Sequence, residues 1–240
     1  MDVDIEISKT VRGLYNLIEC SSFQDYKPHI IFPSTAGAIY GDTDKTLDED
    51  STLQPINSYG YGKQISEMTL EFYSRLGKID YTILRFANLY GYPGRRRVNQ
   101  SVIDIFLDDA LTGTESRVWA EESSTRDYLH VDDAARAIEA VLDNLPASRN
   151  RTFNVASGVD TTLSDILDIV HETTGGRHMF SRVERRTRAP SHTRIDPSRF
   201  RRTFAQWERP LSVREGVAIA WHRKLAHRAH ALADSALVSI

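Results

Sequence analysis

A tyrosine and a lysine four residues apart form the most reactive pairing in the sequence. They are Tyr59 and Lys63, in segment 58–63 (SYGYGK), and this spacing places both on one face of a helix. A free tyrosine has a pKa near ~10, too high for a base at neutral pH, and a neighbouring cation lowers that pKa by favouring phenolate. The pair can therefore remove a proton from an alcohol while hydride leaves its carbon. The alternative is an exposed pair on an amphipathic helix, because a two-residue motif is common by chance.

Hydroxyl side chains follow the first short apolar run. Ser34 and Thr35 lie in segment 32–41 (FPSTAGAIYG), just after a run, 29–32 (HIIF), that reads as a buried parallel strand stopped by Pro33. Ligands of α/β sheets bind at the carboxyl ends of the strands, where such a hydroxyl can hydrogen-bond a substrate oxygen and a tyrosine. The alternative is a Ser/Thr turn at a strand end.

Two further segments carry groups suited to binding. Segment 84–91 (LRFANLYG) is a strand that runs into a glycine turn, and segment 124–133 (STRDYLHVDD) contains Arg126. The planar fork of an arginine can clamp a phosphate. The alternative for Arg126 is a surface ion pair with Asp127 or a neighbour, which contributes little to stability.

The spacing of apolar residues predicts the elements that hold these segments. The first four alternate helix, strand, helix and strand, at 11–18, 29–32, 58–76 and 80–85. Such alternation predicts parallel βαβ crossovers. The second helix carries apolar residues on one face: Ile65, Met68, Phe72 and Leu76.

The rest of the chain continues the mixture of helices and strands. Helices are predicted at 101–111, 131–142, 162–173 and from about 211, and short strands at 117–120, 152–156 and 179–184. Thr162 followed by Asp165 resembles a capping box at the start of the third of these helices.

The composition is that of an ordinary soluble globular protein. The 240 residues carry a formal net charge of -3, which gives no sign of nucleic-acid binding or of an acidic disordered tail. The single cysteine, Cys20, excludes an intramolecular disulfide and a cysteine-based zinc site, and its apolar helical run predicts a small core residue. No uncharged apolar run approaches the ~18 residues of a membrane helix, and the first residues do not read as a signal peptide. We expect a cytoplasmic protein with no nucleic-acid, membrane or metal partner.

Taken in order, five segments resemble those of the extended short-chain dehydrogenase/reductase superfamily, specifically its NAD-dependent nucleotide-sugar epimerases and dehydratases. They are the hydroxyl strand end with its Tyr-Gly, the Tyr-x-x-x-Lys helix, the Arg-Phe-x-Asn-x-Tyr-Gly turn, the Arg-Asp-Tyr-x-x-Val-Asp-Asp segment and the Phe-Asn-Val-Ala-Ser-Gly strand. The resemblance runs to about Trp221, and chance does not readily produce all five in this order.

The resemblance implies a catalytic role for three residues. Tyr59 is the base and acid, and Lys63 holds the nicotinamide ribose and lowers the pKa of the tyrosine. Many members place the hydroxyl partner four residues before the Tyr-Gly tyrosine, which is Ala36 here. Members with a Ser-Ser-Gly-Gly-x-Val-Tyr-Gly strand end have one more residue and match this chain better, so Thr35 is the hydroxyl partner in preference to Ser34. Ser34 is then a cofactor contact.

The resemblance also implies a set of binding residues. Phe86 is expected near the nicotinamide and Asn88 at the diphosphate. Contacts to the nucleotide base or the diphosphate are expected from Gln100, Trp119, Arg126 and Arg186. Arg188 competes with Arg186, because the loop from 185 to 194 aligns loosely with the family.

The implied fold is α/β: an incomplete Rossmann-like parallel sheet with helices, plus a smaller C-terminal substrate-binding α/β lobe. Residues 1–95 are expected to be a remnant of the NAD-binding domain, and 96–240 mainly a sugar-nucleotide-binding lobe with segments that return to the first domain. Family members open with a Gly-x-x-Gly-x-x-Gly turn that holds the cofactor pyrophosphate, and this sequence contains no such turn. An N-terminally truncated member is therefore expected.

The resemblance predicts C4 epimerisation of a UDP-hexose through a 4-keto intermediate, with NAD as cofactor and a homodimer formed through the Tyr-x-x-x-Lys helix. A 4,6-dehydratase would need Asp-Glu directly after the catalytic threonine, where this chain has Ala36 and Gly37. A 4-keto reductase and a dehydratase are the alternative enzymes. The non-enzymatic alternatives are a remnant that binds sugar nucleotide without turnover and an interaction module that uses the C-terminal helix.

Overall fold

The fold alternates helices and strands along the chain. The computed structural model describes residues 3–21, 26–41, 43, 45–92, 101–118, 124–183, 194–207 and 210–237. The strands are β1 His29–Thr35, β2 Thr46–Leu47, β3 Asp80–Phe86, β4 Asn88–Tyr90, β5 Ser116–Val118, β6 Thr125–Arg126, β7 Tyr128–His130, β8 Arg151–Val155, β9 Thr161–Thr162, β10 Phe180–Arg182 and β11 Arg194–Ile195. The helices are α1 Val3–Glu6, a π-helical turn Ile7–Val11, α2 Arg12–Ser21, α3 Ala36–Ile39, α4 Ser58–Arg75, α5 Val102–Thr112, α6 Val131–Asp143, α7 Leu145–Ser148, α8 Leu163–Thr173, α9 Ser198–Thr203 and α10 Val213–Leu237.

Among the described residues, the central sheet has three parallel strands in the order β1-β3-β8. Strand β1 pairs with β3 from His29 opposite Asp80 to Thr35 opposite Phe86, so both strands end at the same edge. Helix α4 lies between them in the chain, as a parallel crossover requires. The predicted α/β class and parallel pairing are therefore confirmed.

Strand β1 continues past the residue that was expected to stop it. It runs through Pro33 to Thr35, so the prediction that the strand stops at the proline was wrong. Within the described residues β1 pairs only with β3, and the carbonyl of Pro33 faces a lysine ammonium instead of a strand. The missing N–H of proline therefore falls on the unpaired side, where no ladder bond is lost.

Within the part of the chain that the structure describes, three hydrophobic clusters hold the elements together. One surrounds the sheet and includes Phe153 and Phe200. A second lies among α5, α8 and α10 and includes Phe106 and Trp221. A third joins α2 to the back of the sheet through residues such as Ile18. Cys20, near the end of α2, is exposed, so its expected place in the core was wrong.

Helix α4 buries a face that combines glycines with polar and large apolar residues. Most of the face that the sequence predicted to be apolar is exposed. The buried residues are Gly60, Gly62, Ser66, Glu67, Leu70 and Tyr73. On the predicted apolar face, Met68 is 60% exposed, Phe72 49% and Leu76, just beyond the helix, 56%. This face is therefore not part of the core of the described chain.

The C-terminal half is built around α8 and α10. The predicted capping box is confirmed, with the Thr162 hydroxyl accepting from the Asp165 backbone N–H at 3.0 Å and the Asp165 carboxylate accepting from the Thr162 N–H at 3.1 Å. Helix α10 packs against both α5 and α8. Among the helices that the structure describes, we find none that combines the length and the apolar character needed to span a bilayer.

Candidate active site

Thr35 and Tyr59 meet where strand β1 ends and helix α4 begins. Thr35 is the last residue of β1. Asn57 caps α4 by accepting the Gly60 N–H at 2.8 Å, which places Tyr59 in the first turn of the helix. The hydroxyl of Thr35 forms a side-chain hydrogen bond with the Tyr59 phenol. The structure thus brings together the hydroxyl pair that the sequence predicts.

Lys63 lies one helical turn further along, against the same strand end. Its ammonium donates to the Pro33 carbonyl at 2.7 Å. It lies 4.7 Å from the centre of the Phe32 ring and 5.8 Å from the centre of the Tyr59 ring. Because an ammonium has three donors, this arrangement fixes the lysine at the site and leaves donor capacity for a ligand.

The electrostatic setting of Tyr59 differs from the expected one. Burial raises the pKa of the Tyr59 phenol, the negative charge of Glu6 raises it further, and the hydrogen bond from Thr35 lowers it. The Lys63 ammonium is directed to a backbone carbonyl and faces the tyrosine ring, and its expected lowering of the Tyr59 pKa stays a prediction. Burial and the charge of Glu6 thus favour the protonated phenol.

Two carboxylates near the site were not predicted. Burial lowers the pKa of Lys63, while Glu67 and Glu6 raise it. Glu67 lies four residues after Lys63 and could have been found from helical spacing. Glu6 reaches α4 from the first helix, where a side chain on Gly62 would meet it at 3.4 Å. No local pattern in the sequence predicts the contact between Glu6 and α4.

We expect Glu6→Gln to lower the pKa of Tyr59, because the substitution removes a negative charge that disfavours phenolate. The measurement is the ultraviolet absorbance of phenolate against pH, with the same titration of a Tyr59→Phe background subtracted to isolate this tyrosine. Asp4→Asn is the matched control, since Asp4 is an exposed carboxylate on the same helix. Equal titration midpoints in the Glu6→Gln variant and the parent would contradict the assignment.

The two strand residues beside Thr35 are buried. The Ser34 hydroxyl donates a short hydrogen bond to Glu67, so it is used inside the protein, and the choice of Thr35 as the partner of Tyr59 is supported. Phe86 lies opposite Thr35 on β3, and its side chain is only 4% exposed within the sheet cluster. Cofactor contacts by Ser34 and Phe86 stay predictions.

Asn88 begins strand β4, and Arg126 ends strand β6 next to Asp127. The Asn88 amide donates to the Asp127 carbonyl at 2.9 Å, and its oxygen faces Gly37. One Arg126 guanidinium nitrogen donates to its neighbour's carbonyl, that of Thr125, at 2.7 Å. Both side chains are half-buried, and their contacts to a diphosphate stay predictions.

The remaining predicted contacts fall on parts of the chain that the structure leaves undescribed. Gln100, Trp119, Arg186 and its competitor Arg188 all lie outside the described residues. The base-binding and second phosphate-binding roles therefore stay predictions from the resemblance.

Comparison with known proteins finds a matching family and related enzymes of sugar nucleotides. Residues 4–156 match the model of the NAD dependent epimerase/dehydratase family. A Methanocaldococcus jannaschii protein, provisionally assigned as a UDP-glucose 4-epimerase, is 32% identical over 170 residues, which are 70% of this chain and 53% of that protein. An Escherichia coli dTDP-4-dehydro-6-deoxyglucose reductase is 31% identical over 141 residues, 59% of this chain and 44% of that protein. The chain thus spans about half the length of these curated relatives.

A solved structure shows the same arrangement of elements. The UDP-glucose 4-epimerase of Thermotoga maritima, crystallised with UDP-glucose, superposes with a TM-score of 0.79 at 29% identity. The superposition covers 93% of this chain and 74% of the Thermotoga chain. The shared fold extends well beyond the residues matched by the family model, since it includes most of the C-terminal half.

Proposed function

The chain belongs to the NAD dependent epimerase/dehydratase family, and we propose that it performs C4 epimerisation of a nucleotide-diphosphate sugar, with a UDP-hexose as substrate and NAD as cofactor. The observation that carries the proposal is the Thr35–Tyr59 hydrogen bond with the Lys63 ammonium beside it at the end of strand β1. This edge of a parallel sheet is where ligands of such folds bind.

The residues at this edge fit the ribose and nicotinamide half of NAD. Lys63 directs one donor to the Pro33 carbonyl, and its ammonium can also donate to the hydroxyls of a ribose. Phe32 and Tyr59 add ring surfaces on either side of that ammonium. When bound, NAD supplies a hydride acceptor that can return the hydride to the sugar carbon.

The proton chemistry is assigned to this chain's own side chains. The Tyr59 phenolate oxygen accepts the proton of the sugar 4-hydroxyl and later returns it, while the Thr35 hydroxyl holds the phenol in place. Lys63 keeps a positive charge near the ring. Burial and Glu6 raise the pKa of Tyr59, which favours the protonated phenol needed in the acid half of the cycle.

The residues after Thr35 favour epimerisation over dehydration. Ala36 is buried, and a side chain on Gly37 would meet the Asn88 amide at 3.0 Å. Neither position can supply the acid and base that elimination across two sugar carbons requires. The residues that follow Thr35 are therefore compatible with proton transfer at a single sugar carbon.

A 4-keto reductase is the second candidate, favoured by the similarity to the E. coli reductase. In that reaction Tyr59 would donate a proton to the 4-keto oxygen. The reduced cofactor would supply a hydride to the sugar carbon, and the hydride would not return to the cofactor. Two assays of the 240-residue chain separate the candidates: one with UDP-glucose and added NAD, and one with a 4-keto nucleotide sugar and added NADH. Appearance of the C4 epimer without net consumption of cofactor supports epimerisation, whereas consumption of reduced cofactor by a 4-keto sugar supports reduction.

Separate titrations of NAD and UDP-glucose test the non-enzymatic alternatives. We expect both to bind, as measured by calorimetry on the purified chain. Binding of UDP-glucose alone would favour a remnant that holds the sugar nucleotide without turnover. Binding of neither would reject the proposal. The division into a cofactor unit at 1–95 and a mainly sugar-nucleotide unit at 96–240, and the cytoplasmic location, stay predictions.

We also propose that two copies pair through α4. Its exposed face carries an apolar stripe, with Tyr61 46% exposed, Met68 60% and Phe72 49%, and α2 adds Tyr15 at 46%. Burial of such a stripe against a second copy would remove a contiguous apolar surface from water, which is the main driving force of association. The stripe runs along the helix that also carries the catalytic pair.

We expect Phe72→Glu to convert a dimer to a monomer, because a carboxylate in the centre of the stripe cannot be buried without a partner. Sedimentation velocity gives the mass in solution. Leu142→Glu on α6 is the control, since Leu142 is a comparably exposed apolar side chain, at 56%, on a different helix. A monomeric parent, or dissociation by both substitutions alike, would refute this interface.

A further inference from the structure

A set of buried polar side chains lies behind the catalytic groups and takes no part in the proton transfer proposed above. Its members are Ser34, Tyr40, Glu67, Arg85 and Asn154, called the Glu67 network below. Each is at most 5% exposed, so water does not satisfy them and they must satisfy one another.

Glu67 lies at the centre of the network. Its carboxylate accepts a short hydrogen bond from the Ser34 hydroxyl on β1. It also accepts from Arg85 on β3, with Nε at 3.2 and 3.1 Å from the two oxygens and Nη2 at 2.6 Å from one of them. One carboxylate thus ties α4 to both strands whose ends form the site.

The network extends through Arg85 to the other motif segments. Its Nη1 donates to the Tyr40 hydroxyl at 2.9 Å, and that hydroxyl donates to the Asn154 side chain at 2.7 Å. Burial raises the pKa of Tyr40 to about 12, so this hydroxyl stays protonated and keeps donating at neutral pH. Four of the five family motifs therefore meet in one hydrogen-bonded cluster, although the proposed chemistry uses none of these side chains.

We propose that Glu67 is a positioning residue, which fixes the start of helix α4 against the carboxyl end of strand β1 and so sets the geometry of the catalytic groups. The position of Glu67 supports this role. It lies one turn after Lys63 and two turns after Tyr59 on the same helix. Its effect on turnover rests on the proposed function, whereas its effect on the neighbouring lysine does not.

The charges around Lys63 provide a readout that packing alone would not move. Burial lowers the pKa of Lys63 below its usual value, and the charges of Glu67 on α4 and Glu6 on the first helix partly oppose that shift. From β1, Lys63 meets only the Pro33 carbonyl and the uncharged Phe32 ring among the contacts that the structure describes. Removal of the Glu67 charge should therefore lower the pKa of Lys63 while Glu6 is unchanged.

The test is Glu67→Gln in the full 240-residue chain, with Glu71→Gln as the matched control on the next turn of α4. Competitive labelling with acetic anhydride across a pH series, read by peptide mass spectrometry, gives the pKa of Lys63 without any need for turnover. We expect this pKa to fall in Glu67→Gln and to equal that of the parent in Glu71→Gln. We also expect kcat to fall roughly 10-fold with little change in KM, a tenth of what a misplacement of about 1 Å can cost.

An unchanged Lys63 profile in folded Glu67→Gln would overturn the proposal, as would turnover equal to that of Glu71→Gln. If the parent shows no turnover, the proposed function fails, and the labelling profile alone decides the role of Glu67. If Glu67→Gln does not fold because Arg85 is left as a buried unpaired cation, the double variant Glu67→Leu/Arg85→Met removes both charges at once. Because loss of the Arg85 charge offsets part of the effect, a smaller fall in the pKa of Lys63 with reduced turnover supports the proposal, and parental turnover overturns it.

Discussion

Turnover of a nucleotide sugar should fall about 10²- to 10⁴-fold in Tyr59→Phe, the range by which a positioned acid or base accelerates a reaction. The substitution removes only the phenol oxygen, which is the atom that the Thr35 hydroxyl contacts and the only group assigned to the sugar proton. The ring, its position in the first turn of α4 and its contact with the Lys63 ammonium are retained. We therefore expect kcat to fall while binding of UDP-glucose changes little, as measured by steady-state kinetics and calorimetry.

Tyr61→Phe is the matched control for this experiment. Tyr61 is 46% exposed and lies two residues later on the same helix, which at 3.6 residues per turn puts it about 200° around the helix axis from Tyr59. The same atom is lost in both variants, and the expected outcome is parental turnover in Tyr61→Phe. Turnover in Tyr59→Phe equal to that of the parent would remove the basis for the catalytic assignment, and equal losses in both variants would point to a general effect on the helix.

Much of the fold could be predicted because its elements have strong local signals. Helix α4 was expected at 58–76 and is observed at Ser58–Arg75, since its apolar residues recur at helical spacing. Strand β3 was expected at 80–85 and observed at Asp80–Phe86. The end of β1 was predicted wrongly because no local signal determines it. Whether Pro33 stops a strand depends on whether its N–H side has a partner, and that is decided by tertiary pairing.

The central part of the site could be predicted for a topological reason. Parallel strands joined by a crossover helix end at one edge, so Thr35 and the start of α4 have to lie close together once the pattern is recognised. The electrostatics could not be predicted in the same way. The pKa of Tyr59 depends on burial and on Glu6, which approaches from a helix more than fifty residues away in sequence. The buried Glu67–Arg85 pair likewise forms only when α4 packs on β3.

A substitution at Gly60 should separate Thr35 from Tyr59 without changing any reactive group. Gly60 is buried in the first turn of α4. A Cβ there would overlap the carbonyl oxygen of Ala38, approach the carbonyl carbon at 2.9 Å and lie 3.0 Å from Pro55. Because the obstacle is backbone, it cannot be relieved by a side-chain rotation, and the helix start has to move. We expect Gly60→Ala to lower the free energy of unfolding by about 1–3 kcal/mol, the usual cost of overpacking.

The same displacement should reduce turnover about 10²-fold, because a shift of about 1 Å in a reacting geometry has an effect of that size. Gly62→Ala is the control that separates displacement from a change of helix propensity. A Cβ at Gly62 would lie at an ordinary distance of 3.4 Å from Glu6, so this variant should keep its activity and gain up to about 1 kcal/mol in unfolding free energy. Denaturant titration and steady-state kinetics of the two variants measure both quantities. If Gly60→Ala is as active as Gly62→Ala, the close approach of α4 to the strand end is not what holds Tyr59 at Thr35. The position of Tyr59 would then have to depend on the Glu67 network alone.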